Sequence, residues 1–263
     1  MTIVGVLPAR YGATRLPGKP LADIAGRPLI QHVFDRARCA LNLDRVVVAT
    51  DDERIFKVVK GFGGAVVMTS PDARTGSDRV AQAAETLDAE IIVNLQGDEP
   101  LVDPLAIDAT VDALRSSPHS DMATPAAFIV DPADILSPHV VKVVVDETGR
   151  ALWFSRAAIP HVRLTPADPL RSAQEAIARK IARRHIGIYA FRRNALLDFA
   201  RWPSSPMEIA EGLEQLRALE NGQRILVVDV ASAGGPAVDT PKDLEKVREL
   251  LARNETIHPK ESS

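Results

Sequence analysis

Through the first 95 positions, short and nearly unbroken apolar runs alternate with longer stretches in which apolar residues recur at helical spacing. The runs at 3–7, 45–49, 65–68 and 91–95 have strand length and little polar alternation, the pattern of strands buried on both faces. The stretches at 29–41, 53–62 and 78–87 carry the three-to-four-residue apolar recurrence of helices that bury one side. This order predicts an α/β fold, with a doubly wound, mostly parallel Rossmann-like sheet. Gly61, Gly63 and Gly64 mark the end of the second helix and the turn into the third strand.

After about residue 120 the alternation gives way to β-type segments at 122–130, 140–146 and 151–155, with a turn at 147–150. A β-rich, antiparallel excursion in the second half is the expectation. The stretch 160–168, with Pro160 and Pro166 and then Pro169 just beyond it, reads as a surface loop or lid. A helix at 172–182, a strand at 184–191, a helix at 207–221, a strand at 225–230 and a helix at 241–253 complete the pattern. Residues 254–263 read as a polar tail.

A chain of 263 residues with 46% hydrophobic content has ample material for a core. It reads as a single domain over 1–253, with halves at 1–120 and 121–253. The net charge of −3 supplies no global attraction to nucleic acid or to an anionic membrane, so any anion site must be local. No apolar run approaches the ~18–20 residues that span a bilayer, and no basic leader precedes one, so a cytoplasmic protein is expected. The single cysteine, Cys39, excludes an internal disulfide and is expected as core packing on a helix.

Where charge is local, it is concentrated. The first strand runs into a loop, Leu7-Pro8-Ala9-Arg10 and on to Lys19-Pro20-Leu21, that holds Arg10, Arg15 and Lys19, with no acid before Asp23. Gly12 and Gly18 let backbone amides approach an anion, and the end of a first strand is where open α/β sheets bind ligands. A polyphosphate cradle explains this better than a solvated basic loop. It is neither of the commoner phosphate loops: Lys19 is followed by Pro20, and no G-x-G-x-x-G occurs.

Other residues carry chemistry by type and place. Asp98 follows a strand, between Gly97 and Pro100, and a carboxylate there can hold a divalent cation against phosphates. Asp239 offers a second carboxylate, or equally a helix cap before Pro241. Arg156 presents a fork that matches a substrate carboxylate. Glu211 and Gln215 stand four apart on the helix expected at 207–221, with Glu214 adjacent.

The loop resembles the signature of the nucleotide-activated sugar-acid synthetases. The resemblance continues in LQGDEP at 95–100, FSRAAIP at 154–160, HIGIY at 185–189, LEQLR at 213–217 and VDTPKDL at 238–244, and so spans residue 3 to about 250. It implies a cytidylyltransferase that uses CTP, a Kdo-like sugar acid (3-deoxy-manno-octulosonate type) and Mg2+, working as a homodimer. Residues 1–120 would then bind CTP, and 121–253 would bind the sugar and form the dimer. By this resemblance Leu7, Pro8, Ala9, Arg10, Arg15, Lys19, Gly76, Arg79, Gln96 and Asp98 would bind nucleotide. Gln96, Arg156, His185, Tyr189, Glu214 and Gln215 would bind the sugar acid, and Asp98 and Asp239 the metal, with Arg10, Arg15 and Lys19 assisting catalysis.

Two departures stand out. Thr75-Gly76-Ser77-Asp78-Arg79 replaces the S-G-T-E-R of the synthetases conservatively, and Pro160-His161 lacks the tryptophan expected after that proline. A related 2-keto sugar acid, an amino-Kdo or a nonulosonate, is the competing substrate. A nonenzymatic nucleotide-binding regulator is the reading from another class, and the retained carboxylate pair argues against it. A metal-dependent glycosyltransferase would bring a D-x-D triplet, and Asp98 is followed by Glu99 and Pro100.

Overall fold

The computed structural model describes residues 1–12 and 15–257, and the last six residues of the expected tail lie outside the described residues. The chain begins with β1 (Ile3–Ala9), a 3-10 turn (Lys19–Leu21), the small ribbon β2 (Asp23–Ile24) and β3 (Arg27–Pro28), then α1 (Leu29–Ala37). There follow β4 (Arg45–Thr50), α2 (Glu53–Gly61), β5 (Ala65–Met68), α3 (Gly76–Thr86), β6 (Ile91–Asn94) and α4 (Pro104–Ser116). The middle of the chain forms β7 (Met122–Phe128), α5 (Pro132–Leu136), β8 (Lys142–Val145), β9 (Ala151–Ser155), α6 (Pro169–Ala178) and β10 (Arg183–His185). It closes with β11 (Tyr189–Arg192), α7 (Arg193–Arg201), α8 (Pro206–Glu211), α9 (Gln215–Glu220), β12 (Ile225–Asp229) and α10 (Pro241–Ile257).

The chain divides into two compact units, one of residues 4–88, 94–104 and 234 onward, the other of 1–3, 89–93 and 105–233. In the first, β4 lies between β1 and β5 in parallel, Leu7 opposite Val48 and Val48 opposite Val66. Val4, Val6, Leu7 and Val48 are fully buried, as the unbroken apolar runs require, and Ile55 is buried on the inner side of α2. Local chemistry sets the helix starts: Asp52 accepts from Arg54 N at 2.9 Å, and Thr75 Oγ1 accepts from Asp78 N at 3.2 Å, so α3 begins at Gly76.

The second unit carries the β-rich excursion. Antiparallel β10 and β11 both pair with β7, β8 pairs with β10 and β9, and β12 joins β7 in parallel. The α/β class and the parallel first half are as expected, and the second half makes the strand set mixed.

Several boundaries are corrected. The single strand expected at 184–191 is two, because His185 opposes Ala126 and Ala190 opposes Ala123: five residues advance against three, and the excess bulges out at 186–188. The helix expected at 207–221 breaks at Gly212, whose φ of 62° ends α8 in the left-handed region that glycine adopts cheaply. Helix α4 was not anticipated, although its buried Ala106, Ile107, Thr110, Val111 and Leu114 follow helical spacing. Helix α10 continues to Ile257, past the expected 253. Cys39 lies beyond the end of α1 and is exposed, its Sγ donating to Asp35 O at 3.3 Å, so it is not core packing.

Candidate active site

The cationic loop is shaped by its own backbone. Gly18, at φ 70°, donates its N–H to Tyr11 O at 2.9 Å, and the 3-10 turn that follows presents Lys19. The Arg54 guanidinium lies 3.3 Å from the centroid of the Tyr11 ring while its nitrogens bond Asp52, holding the start of the loop against α2. Leu7 and Ala9 are buried in β1, and Arg10 stands exposed just after it.

Lys19 is the pivot of the site. Its Nζ donates to Asp98 Oδ2 at 2.6 Å and to Asp239 Oδ1 at 3.2 Å, while Arg15 reaches the other oxygen of Asp239 at 3.2 Å. Two acids 141 positions apart in sequence therefore meet on one cation. Backbone geometry brings them there. A Cβ on Gly97 would lie 2.6 Å from Pro8 O, so only glycine lets the Asp98 turn sit against the end of β1. Val238 N donates to Asp98 O at 2.9 Å, which fixes Asp239 beside it, and a Cβ on Gly235 would fall 2.5 Å from the Leu101 side chain.

The helix-cap alternative at Asp239 falls to its neighbours. Thr240 and Asp243 cap α10 reciprocally: Thr240 Oγ1 accepts from Asp243 N at 3.2 Å, and Asp243 Oδ2 accepts from Thr240 N at 2.9 Å. The Thr240 hydroxyl also donates to Asp243, which holds that carboxyl below its usual range. Asp239 is left with its carboxylate turned to Lys19 and Arg15. Asp98 and Asp239 fit magnesium, which takes one or two carboxylates and completes its shell with phosphate oxygens and water. Among the described residues no three ligand-type side chains gather, so the pair is what the chain itself offers.

At the start of α3, Gly76 is exposed, and a Cβ built on it would stand 3.5 Å from the Pro8 side chain. Arg79, expected to bind nucleotide, is engaged by the fold. Only 4% exposed, it donates to Asp51 Oδ2 at 2.8 Å and Thr69 Oγ1 at 2.5 Å, and so ties α3 to the ends of β4 and β5. Ser77 accepts from Asn94 Nδ2 at 3.1 Å beneath it, and Gln96 follows β6, half-buried.

The second unit gathers His185, Tyr189 and Gln215. His185 and Tyr189 were expected on one face of one strand, and they meet instead across the bulge with ring centroids 5.4 Å apart. Phe154 closes on His185 edge-first at 5.0 Å. Thr124 Oγ1 donates to Ile188 O at 2.7 Å, so its contact with His185 Nε2 at 2.9 Å makes Nε2 the donor and Nδ1 an acceptor. Burial pushes the imidazole down to about 3. Since an unfolded histidine titrates near 6.5, His185 takes up a proton on unfolding, and the fold loses stability as pH falls from about 6.5 towards about 3. The expected result is a flat His185 ring chemical shift in NMR between pH 5 and 8; a midpoint near 6.5 would refute this burial.

Gln215 opens α9, only 4% exposed, and its Oε1 accepts from Tyr189 OH at 3.2 Å. Its Nε2 is buried with no hydrogen-bond partner, a donor that a sugar hydroxyl or carboxylate would satisfy. Glu214 sits at the N-cap position of α9. The break at Gly212 removes the helix-face relation expected between Glu211 and Gln215.

Arg156, expected as a clamp for a substrate carboxylate, is engaged by the fold. Its Nε donates to Glu211 O at 2.8 Å, one terminal nitrogen to Pro138 O at 3.1 Å and the other to Gly212 O at 3.4 Å, so the side chain is a crosslink in the fold. Sequence reasoning missed the opposite partner in this role. Glu211 accepts from Ser155 Oγ at 2.6 Å and Arg156 N at 2.9 Å, and these bonds, Ser155 foremost, hold its carboxyl below the usual range.

A cytidylyltransferase family model matches residues 4–225. A protein of Geobacter sulfurreducens named 3-deoxy-manno-octulosonate cytidylyltransferase is 51% identical over 251 residues, 95% of this chain and all of that one. A protein of the same name from Chlamydia trachomatis serovar L2 is 46% identical over 250 residues, 94% of this chain and 93% of that one. Among solved structures, a CMP:2-keto-3-deoxy-manno-octonic acid synthetase complexed with CTP matches with a TM-score of 0.87 and 41% identity, over 97% of this chain and 100% of that one. A glucose-1-phosphate thymidylyltransferase described as putative, from Bacillus anthracis, shares the fold at a TM-score of 0.63 and 14% identity, over 95% of each chain.

Proposed function

The chain belongs to the cytidylyltransferase family, and on that premise we propose that it transfers CMP from CTP to the anomeric hydroxyl of 3-deoxy-manno-octulosonate, releasing pyrophosphate. The observation that carries this reading is the convergence of Asp98 and Asp239 on Lys19 at the end of β1. Attack on the α-phosphorus needs no covalent enzyme intermediate, and the barrier falls by placing the two substrates and neutralising triphosphate charge. Arg10, Arg15 and Lys19 bind the β and γ phosphates and stabilise the departing pyrophosphate. The amides at Gly76 receive the nucleoside, with Arg79 orienting that turn from beneath. Tyr189, Gln215 and the Nδ1 of His185 bind sugar hydroxyls, and Glu214 borders them; Gln96, two residues before Asp98, contributes to substrate binding in the first unit. Magnesium held by Asp98 and Asp239, when bound, supplies further charge neutralisation and acidifies the attacking hydroxyl.

The test is pyrophosphate release from CTP and magnesium with a panel of Kdo, amino-Kdo and a nonulosonate. Kdo is expected to turn over fastest, and preference for another acid would move the assignment within the family. Position 161 is where such a difference would enter, since a histidine stands where tryptophan is expected.

Lys19→Ala is expected to weaken CTP on the order of 10- to 100-fold, the usual worth of a hydrogen bond to a charged group, and to leave CMP within about twofold. Calorimetric titration with each nucleotide decides this. Equal losses would remove the phosphate assignment. The reading also includes a cytoplasmic homodimer, for which the exposed Val130 (84%) and Leu152 (57%) of the second unit offer apolar surface. Sedimentation velocity showing a monomer at micromolar concentration would reject the dimer.

A further inference from the structure

The second unit contains a buried lysine that the proposed reaction does not use. Lys142 heads β8 with no solvent exposure, and its Nζ donates to Ser137 O at 2.8 Å, Val140 O at 2.7 Å and Arg156 O at 2.6 Å. All three ammonium protons are thus committed to main-chain carbonyls. Burial pushes this ammonium below its usual range and the Arg156 charge pushes it the same way, with Glu211 and Asp134 acting against them. The cost of burying this charge is offset by three bonds that tie the 137–140 segment to Arg156.

Lys142 thereby holds Arg156. The carbonyl of Arg156 is fixed by Lys142, its N–H by Glu211, and its guanidinium by Pro138, Glu211 and Gly212. Ser155 anchors the Glu211 carboxylate from the adjacent residue of β9. This hub clamps the main chain at 211–212, where α8 ends, and three residues later α9 presents Gln215 to Tyr189.

We propose that Lys142 is a positioning residue for the sugar acid: through Arg156 and the break at Gly212 it sets the placement of Gln215 and its unpartnered amide. This rests on the sugar-acid reading given above. A structural role alone would lower stability without singling out one substrate, and a positioning role singles out the sugar.

The experiment compares the full-length protein with Lys142→Met, which keeps the length of the side chain and removes its donors, by pyrophosphate release over varied Kdo and varied CTP. The expected result is a KM for Kdo raised about tenfold or more, with the KM for CTP within about twofold. Parallel rises in both KM values, or no change in a folded variant, would overturn the proposal. Should Lys142→Met not fold, Ser155→Ala loosens the same hub from the Glu211 side and is expected to show the same split with smaller amplitude; an unchanged KM for Kdo there is equally fatal. Absence of turnover in the parent with any sugar acid instead marks failure of the sugar-acid reading itself, and the proposal falls with it.

Discussion

Asp98→Asn and Asp239→Asn are each expected to lower turnover on the order of 10²- to 10³-fold, with little change in thermal stability. A neutral amide is a far weaker ligand for magnesium than a carboxylate, and loss of one preorganised charge partner in a phosphoryl-transfer site has effects of this size. The fold should survive because neither side chain carries it. The Val238 bond goes to the main-chain oxygen of Asp98, and α10 is capped by Thr240 and Asp243. Thr240→Ala is the matched contrast: loss of a cap costs about 1 kcal/mol of stability and should spare chemistry. Pyrophosphate release and a thermal melt on the three variants separate the two roles. Near-parent turnover by Asp239→Asn would refute its assignment to the metal.

Arg217→Met is expected to destabilise the protein by about 3–5 kcal/mol, because breaking a buried ion pair strands the surviving charge. Arg217 has no solvent exposure, donates through Nε to Glu208 Oε2 at 2.8 Å and through a terminal nitrogen to Glu208 Oε1, and lies 4.5 Å from the Phe199 ring centroid. Glu208 is itself bound into the capping box of α8, accepting from Ser205 N at 3.0 Å. At a few degrees per kcal/mol for a protein of this size, a melt should move down by roughly 10 °C. The double variant Glu208→Gln, Arg217→Met should recover part of that loss, since the glutamine still accepts from Ser205 and no charge is left unpaired. A double variant as unstable as the sum of the two singles would show that packing, and not the stranded carboxylate, governs this site. The arginine of the LEQLR segment is thereby a residue of the fold, although the segment borders the candidate sugar site.

Periodicity and local chemistry were sufficient for much of this molecule. The strands at 65–68 and 151–155 match the observed bounds, because an apolar run between turn residues encodes a strand, although β5 stays half-exposed where a strand buried on both faces was expected. The cationic loop, the glycine before Asp98 and the α/β class are equally local statements. Partners are not local. That Asp239 stands beside Asp98 depends on a main-chain bond from Val238, and that Tyr189 reaches His185 depends on two residues bulging from the pairing with β7. Partners of charge were the least legible: Arg79 bonds Asp51 and Thr69, and Arg156 bonds three main-chain carbonyls, all distant in sequence or in the fold's connectivity. The break at Gly212 follows the same logic, since a glycine within an otherwise helical pattern permits a left-handed residue without requiring one. Sequence therefore determined the α/β pattern and where charge is concentrated, and not every burial: Lys142 and Arg217 have no exposure, while Cys39 is exposed. Tertiary structure decided what each charge faces, because the carbonyls and carboxylates that compete for a guanidinium are set by how distant segments pack.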